Sequence, residues 1–382
     1  MSWLRIIGYE REKEILQRAV LEKRLPNAYC FSGSEGVGKE ALALQFAKTV
    51  NCEQPVISDD AIDSCGKCKS CKKIDNLSHE NLFLVYPLPA GSKPDSKSND
   101  PLASLSDEQI EYVKDELAKK SEDHYHKISI PNANQIKISS IRQIKKKLSL
   151  SASSGGRRVV IISGAERMTG EAANSFLKTL EEPHANITII LVTSKPEFLL
   201  PTILSRCQQL NFGPMNDELI AKALVERNGF SMENARIAAA FGQGSYMKAL
   251  ASADEDMQEL RLFMVEMLRS LFKKKFRTKL LEKVDTLEKM KDKNKLETAL
   301  TLLLLWLRDA YKMQVTGDNT DIINSDQEKT IVNFVNYVQK RDLSNALTLT
   351  EEAIAKIRRN VSVHLILLSL FGSLREILLD KR

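Results

Sequence analysis

The chain has 382 residues, of which 43% are hydrophobic and 28% are charged, and its formal net charge is +6. This composition is typical of a soluble globular protein and excludes a disordered tail, a collagen and a small disulfide scaffold. The length favours two or three domains. The mild positive charge permits contact with nucleic acid without requiring it, and it disfavours a histone-like role.

The sequence carries no signal of secretion or membrane insertion. Its N-terminal residues lack a long apolar run after a basic start, so we expect no signal peptide. Apolar runs such as residues 302–307 are far shorter than the ~20 residues that span a bilayer. We therefore expect a cytoplasmic protein with no membrane partner, whose six cysteines stay reduced.

Short apolar runs alternate with helical periodicity along the first 213 residues. Strands are predicted, in chain order, at residues 28–31, 82–85, 159–162, 187–192 and 208–212. Helical spacing of apolar residues occurs at 41–47, 135–150 and 170–182, and we expect the last of these helices to stop at Pro183. Strands that alternate with helices imply an α/β domain with a parallel sheet covered on both faces.

Beyond residue 213 the sequence predicts helices alone. We expect an α/β domain over 1–213, a small helical domain over 214–254 and a larger all-α domain over 255–382. Residues 87–134 are predicted to be an insertion in the first domain. Its first part is rich in Pro, Ser, Asp and Lys, and a polar helix is predicted over 106–120.

A glycine loop lies between the first strand and its helix. Gly33, Gly36, Gly38 and Lys39 match a Walker A phosphate-binding loop. Such glycines let backbone N–H groups turn towards phosphate oxygens, while the lysine reaches the outer phosphates. A chance glycine-rich turn is the alternative, and the order strand, loop, helix disfavours it.

Two positions that hold Mg²⁺ in such loops are altered. Glu40 replaces the Ser or Thr whose hydroxyl binds the metal ion. After the strand at 159–162, residues 163–166 read Ser-Gly-Ala-Glu, where an ATPase places a metal-binding Asp and a catalytic Glu. The sequence is therefore compatible with binding of ATP or ADP, but hydrolysis is not expected.

Four of the six cysteines are clustered. A Cys-x2-Cys spacing brings two sulfurs to one ion, so the cluster predicts a structural four-thiolate zinc site in a module over 52–73, with ligands Cys52, Cys65, Cys68 and Cys71. Four protein ligands leave no open position for catalysis. Four metal-free thiols and an iron–sulfur cluster are the alternatives, and His79 is an alternative ligand.

Two longer motifs resemble a known family. Residues 173–183 read ANSFLKTLEEP and residues 200–207 read LPTILSRC. Both are similar to signatures of bacterial clamp-loader subunits, which are AAA+ proteins of the DNA polymerase III holoenzyme. The resemblance implies an AAA+ P-loop domain with a zinc module over 1–213, a helical lid domain over 214–254 and an all-α collar domain over 255–382.

The resemblance also implies roles for single residues. The arginine of the family's Ser-Arg-Cys motif points into the ATP site of the neighbouring subunit, so Arg206 is expected to act in catalysis in trans. Thr193 matches the sensor-1 position beside the nucleotide. The family's ATP-hydrolysing subunits carry an Arg where this chain has Met247. This departure agrees with those at Glu40 and at residues 163–164. Because of them, the chain resembles the delta-prime type of subunit, which is degenerate in its nucleotide site.

A delta-prime-like chain is expected to join gamma/tau and delta subunits in a hetero-pentamer. That assembly would load the sliding clamp onto primed DNA while the neighbouring subunits hydrolyse ATP. A gamma/tau-type subunit that hydrolyses ATP itself is the alternative, and a zinc-bearing AAA+ scaffold outside replication is a third interpretation.

Residues 136–158 contain seven Lys and Arg side chains and no acidic residue. Because clamp loaders encircle DNA, contact of these side chains with phosphate is one interpretation. A solvated basic helix face is the other.

Overall fold

A computed structural model describes residues 2–58, 61–90, 100–149, 155–182, 186–253, 255–274, 276–289, 293–318, 322–339, 341–359 and 361–379. Over these ranges the chain forms two compact units. One comprises Met1–Met215 with Ser245–Met247, and the other comprises Asn216–Gly244 with Lys248–Arg382. Among the described residues, no helix has both the length and the apolar composition needed to cross a bilayer.

The first unit contains all the strands that the structure describes. The strands are β1 Ala28–Gly33, β2 Val56–Ile57, β3 Ile62–Asp63, β4 Leu82–Val85, β5 Arg158–Ser163, β6 Ile187–Thr193 and β7 Gln208–Phe212. Five of them form a sheet in the order β4-β5-β6-β1-β7, and every neighbouring pair is parallel. The predicted α/β class with a parallel sheet is confirmed, and the five predicted strands all lie in that sheet.

Helices of the first unit follow the predicted alternation. They are α1 Glu10–Leu21, α2 Lys39–Val50, α3 Lys69–Asp75, α4 Asp107–Glu122, α5 Ile138–Ser149, α6 Gly170–Glu181 and α7 Pro201–Leu204. The predicted polar helix is α4, which Ser106 caps by accepting a hydrogen bond from the Gln109 N–H. Pro183, the expected stop of α6, lies outside the described residues, as does the stretch 91–99 of the predicted insertion.

The sheet is covered on both faces, as the side chains of β1, which lies between β6 and β7, show by alternating between two cores. On one face, Ala28 and Cys30 of β1 join the apolar side chains of α5 and α6, including Ile141, Ile144 and Phe176. On the other face, the Tyr29 ring packs edge-on against Phe46 of α2, with ring centroids 5.8 Å apart. Burial of both faces explains why these strands read as continuous apolar runs.

The second unit consists of helices and connecting loops, with no strand among its described residues. Its helices are α8 Asp217–Asn228, α9 Met232–Gly242, α10 Tyr246–Ala251, whose first two residues belong to the first unit, α11 Glu255–Ser270, α12 Phe276–Lys289, α13 Lys293–Thr316, α14 Glu328–Val338, α15 Leu343–Arg358 and α16 Val363–Leu379. Helix α13 contacts α11, α14 and α15. All six residues of its apolar run 302–307 are buried, and the Trp306 Nε1 donates to Gln327 Oε1 at 2.9 Å.

Candidate functional site

The glycine loop connects β1 to α2 at the carboxyl edge of the parallel sheet. Gly36 and Gly38 have positive φ angles of 77° and 93°, which side chains other than glycine rarely adopt. A Cβ atom at Gly38 would lie 2.6 Å from the Tyr125 ring, and one at Gly36 would clash with the Ser245 hydroxyl. Close packing on both sides of the loop therefore requires glycine at these two positions.

Lys39, the first residue of α2, is turned back onto the loop. Its ammonium donates to the carbonyl oxygens of Gly33 and Ser34, each at 2.6 Å. The side chain is almost fully buried, and burial lowers the pKa of Lys39 to about 8. The lysine thus satisfies backbone acceptors of its own loop in this structure.

Glu40 lies beside the loop and forms an ion pair. Its carboxylate accepts a hydrogen bond from the Lys120 ammonium at 2.7 Å. Burial raises the pKa of Glu40, but Lys120 and the hydroxyl of Ser163 outweigh that effect and hold the pKa below its usual value. The residue that replaces the metal-binding hydroxyl is therefore a carboxylate held by a cation from α4.

The remaining cavity beside the loop is small. It has a volume of about 90 Å³, and its lining includes Lys39, Glu40, Glu166 and Thr193. Glu166 accepts a hydrogen bond from the Ser194 hydroxyl at 3.0 Å, and the Thr193 hydroxyl accepts one from the Lys195 N–H at 3.0 Å. The structure thus brings the predicted sensor position and Glu166 to the same cavity as the loop lysine.

Sequence reasoning missed the contribution of the insertion to this site. Lys120, Tyr125 and Lys127 all contact the loop or its helix, and Lys127 pairs with Glu35 within the loop. No motif marks these residues. The sequence did contain one signal. Glu40 places a carboxylate beside the buried Lys39, and such a carboxylate needs a partner from elsewhere in the chain.

The four clustered cysteines lie together. Their sulfur atoms are all within 4.8 Å of one another, and these residues could hold a metal ion. The Cys71 sulfur is 3.6 Å from the Cys52 sulfur and 3.9 Å from the Cys65 sulfur. Tetrahedral zinc with sulfur at about 2.3 Å requires sulfurs about 3.8 Å apart, so these two separations fit zinc.

Backbone N–H groups surround the cluster and favour thiolate at one position. Donation from the N–H groups of Lys67 and Cys68 lowers the pKa of Cys65 to about 6. Burial instead raises the pKa of Cys71. Cys68 accepts from the N–H of Cys71 and thereby caps α3. The cluster and the first turn of α3 therefore form one local unit.

His79 is engaged away from the sulfur atoms. Its Nε2 lies 2.8 Å from the Ser70 hydroxyl, and its Nδ1 accepts from the Asn81 N–H at 3.0 Å. Burial lowers the pKa of His79. With both ring nitrogens in hydrogen bonds, His79 packs beneath the cysteine module and is not a fifth member of the cluster.

Arg206 follows α7 on the surface of the first unit. Its guanidinium donates to the Glu181 carboxylate at 3.0 Å and to the Thr202 carbonyl at 2.9 Å. The Arg206 side chain is 37% exposed. Cys207 is partly buried against the sheet core, and burial raises its pKa to about 12. Arg206 is thus accessible at the surface, while the adjacent Cys207 packs against the sheet core.

The basic side chains of residues 136–158 divide into two groups. Arg157 is turned inward, where it donates to the Thr188 hydroxyl at 2.6 Å and to the carbonyls of Leu25 and Ile187. On α5, by contrast, Lys146 is exposed and Lys145 is half-buried. Arg157 therefore fits neither a phosphate contact nor a solvated helix face, because its guanidinium joins the backbone that precedes β1 to that of β6.

A family model described as DNA polymerase III, delta subunit, matches residues 8–216. The chain belongs to that family. The DNA polymerase III subunit delta' of Bacillus subtilis (strain 168) is 27% identical over 363 residues, which cover 94% of this chain and 95% of that protein. These findings confirm the predicted resemblance to the delta-prime type of subunit.

Other relatives share part of their length with this delta-prime-family chain. The DNA polymerase III subunit delta' of Pseudomonas aeruginosa is 28% identical over 251 residues, which cover 65% of this chain and 62% of that protein. The DNA polymerase III subunit tau of Bacillus subtilis is 30% identical over 259 residues, covering 65% of this chain and 37% of that protein. The chain thus aligns with less than two thirds of each of these two proteins.

Proposed function

We propose that this chain is a delta-prime-type clamp-loader subunit that does not itself hydrolyse ATP. The observation that carries the proposal is the ion pair between Glu40 and Lys120 at the position where a Walker A loop holds Mg²⁺. In such sites the metal bridges phosphate oxygens and neutralises charge that develops during transfer. Glu40 lacks the hydroxyl that binds the metal in this role. In addition, its carboxylate is already paired with an ammonium.

The second metal position supports the same proposal. Residues 163 and 164 are Ser and Gly, which provide no carboxylate at the end of β5. Glu166 does line the cavity, but it accepts a hydrogen bond from Ser194. Because both metal ligands are lost, this site would at most bind a nucleotide and would not hydrolyse it. Gly33, Gly36, Gly38, Lys39 and Thr193 are the residues that would contact such a nucleotide.

Arg206 is proposed to act on a neighbouring subunit. It is partly exposed, and its carbonyl partner Thr202 belongs to α7. An arginine inserted into a neighbour's ATP site stabilises the charge of the transition state and contributes ~10³–10⁵ in rate in related NTPases. Arg206 would therefore complete the ATP site of a gamma/tau-type subunit and would not serve the chain's own loop.

We further propose that the cysteine cluster holds structural zinc through Cys52, Cys65, Cys68 and Cys71. The two sulfur separations near 3.8 Å and the fourfold thiolate set support this. Zinc bound by four protein ligands has no open position, so it would stabilise residues 52–73 and take no part in chemistry.

Family membership supports a proposal for the assembly. The chain would join gamma/tau and delta subunits, and the complex would open the sliding clamp and place it on primed DNA. An AAA+ domain over 1–213, a lid over 214–254 and a collar over 255–382 would serve that assembly, with the helices after residue 254 joining the subunits into a ring.

Reconstitution tests the proposal. ATP turnover is measured for the purified chain alone and then for the chain mixed with gamma/tau-type, delta and clamp subunits on primed DNA. We expect negligible turnover alone and clamp loading in the mixture, with turnover lowered by Arg206→Ala although the complex stays assembled. A matched control is Arg227→Ala, which removes an exposed arginine of α8.

The competing function is a gamma/tau-type ATPase. Brisk turnover by the isolated chain, abolished by Lys39→Ala, would establish that function and overturn the proposal. Unchanged turnover of the Arg206→Ala mixture would remove the role of Arg206 in trans while leaving the subunit assignment in place.

A further inference from the structure

The insertion supplies a group of side chains that lie on the nucleotide cleft. We propose that residues 105–130, here called the covering segment, are a built-in occupant of this cleft, with the Lys120 ammonium lying against Glu40 where a metal ion would bind. The inference rests on the proposed loss of hydrolysis at the same site. It adds that the chain excludes nucleotide by its own fold and does not merely lack metal ligands.

Lys120 is saturated by contacts within the chain. An ammonium has three donors, and that of Lys120 lies 2.7 Å from the Glu40 carboxylate, 2.8 Å from the His124 carbonyl and 2.6 Å from the His126 carbonyl. Its side chain is only 3% exposed. A buried ammonium with all three donors used has no donor left for a phosphate, so Lys120 cannot bind nucleotide without breaking one of these contacts.

Two further contacts cover the loop itself. The buried ring of Tyr125 lies against Gly38, and its hydroxyl accepts from the Ile7 N–H at 2.7 Å. Lys127 pairs with Glu35 in the loop. The covering segment thus engages loop positions 35, 38 and 40 at once, which spans the length of loop that cradles phosphates in a Walker A site.

The covering segment is held by a core of its own. Leu105, Val113 and Ile130 are buried together with Leu88. The carboxylate of Glu116 accepts from the Ser129 N–H at 2.7 Å, which fastens α4 to the chain that follows Tyr125. This packing distinguishes the segment from a solvated surface loop.

The segment is also fastened to the helix of the cysteine module. The His124 ring is buried, and its Nε2 lies 3.1 Å from the Asp75 carbonyl at the end of α3. The Asp75 carboxylate in turn accepts from Lys48 of α2 at 2.6 Å. The covering segment, the cysteine module and the helix behind the loop are therefore connected by direct contacts.

The volume that remains is too small for a nucleotide. The cavity beside Lys39 is about 90 Å³, whereas pockets that bind small molecules have about 300–1,000 Å³. Glu35, Glu40 and Glu166 add three carboxylates to its lining. A triphosphate would have to displace the covering segment and also meet this negative charge.

Binding of a fluorescent ATP analogue with Mg²⁺ to full-length variants tests the inference. Glu40→Ser restores the hydroxyl that binds metal, and the triple variant Glu40→Ser/Lys120→Ala/Tyr125→Ala also weakens the covering segment. The matched control is Glu40→Ser/Lys114→Ala, since Lys114 is an exposed lysine of the same helix. We expect no saturable binding by the wild type up to about 1 mM, and binding by the triple variant at least about tenfold tighter than by Glu40→Ser or the control.

Equal affinities of the triple variant and Glu40→Ser, with both folded by circular dichroism, would overturn the inference. Hydrogen exchange of the wild type gives a second test that needs no variant. Protection of residues 33–39 by ATP without any change in residues 105–130 would also overturn it, and absence of protection supports it. Wild-type binding without turnover would remove the covering role alone, whereas wild-type turnover would remove the proposed function.

Discussion

The guanidinium of Arg206 lies 3.0 Å from the carboxylate of Glu181, so the end of α6 is joined to the segment between α7 and β7. Both side chains are substantially exposed, at 37% and 48%. Exposed pairs of this kind contribute about 0–1 kcal/mol because water screens the charges and the side chains lose freedom. The pair therefore orients Arg206 while costing little to break, which suits an arginine that has to reach a neighbouring subunit.

This weak pairing predicts that Arg206→Ala leaves the fold intact. We expect the free energy of unfolding to fall by less than about 1 kcal/mol, and Glu181→Gln to have a similarly small effect. Urea denaturation followed by circular dichroism measures both. A loss above about 2 kcal/mol would mean that Arg206 is a structural residue, and reduced turnover in the reconstituted mixture would then have a trivial cause.

Removing one cysteine ligand should release the metal. Cys71 is fully buried and its sulfur lies near both Cys52 and Cys65, so Cys71→Ser is expected to abolish zinc binding. Metal analysis of the purified protein should give about one zinc per chain for the wild type and none for the variant. Cys30→Ser is the control, because Cys30 lies in the sheet core away from the cluster.

Zinc removal should also have a local structural effect. Cys68 caps α3, so we expect a chelator to increase hydrogen exchange in residues 52–75 and to leave β5 and β6 protected. A wild-type protein with four titratable thiols and no metal would contradict the zinc assignment.

Much of the fold could be predicted from the sequence, because buried parallel strands are continuous apolar runs and each strand is bounded by turns or helices. The order of the strands in the sheet could not be predicted, because nothing in the local sequence of β1 indicates that it lies between β6 and β7. The loop residues were found because their chemistry fixes a spacing. Lys120 and Tyr125 were not found from the sequence, because their contacts with Glu40 and Gly38 join residues that are far apart in the chain.

Burial of Lys39 predicts a pH-dependent stability difference. Its pKa is about 8 in the folded chain and 10.5 when unperturbed, so the unfolded state binds more protons between these values. The penalty for burying the charge is fully present below pH 8 and is relieved as the pH rises towards 10.5. The unfolding free energy of the wild type should therefore rise relative to that of Lys39→Met over this range, by about 1–3 kcal/mol.

Urea unfolding of both proteins at pH 7, 8.5 and 9.5 measures the difference, because titration of the other lysines is common to both and cancels. A constant difference across this range would show that Lys39 titrates with an ordinary pKa. In that case its ammonium would be solvated in solution, and the hydrogen bonds to Gly33 and Ser34 would not persist.

Three lysines on α5 and α6 predict a contribution to DNA binding by the assembled complex. Lys145, Lys146 and Lys178 line one groove, and burial together with the nearby Lys178 lowers the pKa of Lys145. Each lysine that contacts a phosphate releases counterions and steepens the salt dependence of the binding constant by about 0.9. We expect Lys145→Ala/Lys146→Ala to make the slope of log K against log salt concentration shallower by about two, measured by fluorescence anisotropy with primed DNA. Lys222→Ala, an exposed lysine of α8, is the control, and a slope unchanged in the double variant would assign this groove to the solvated surface.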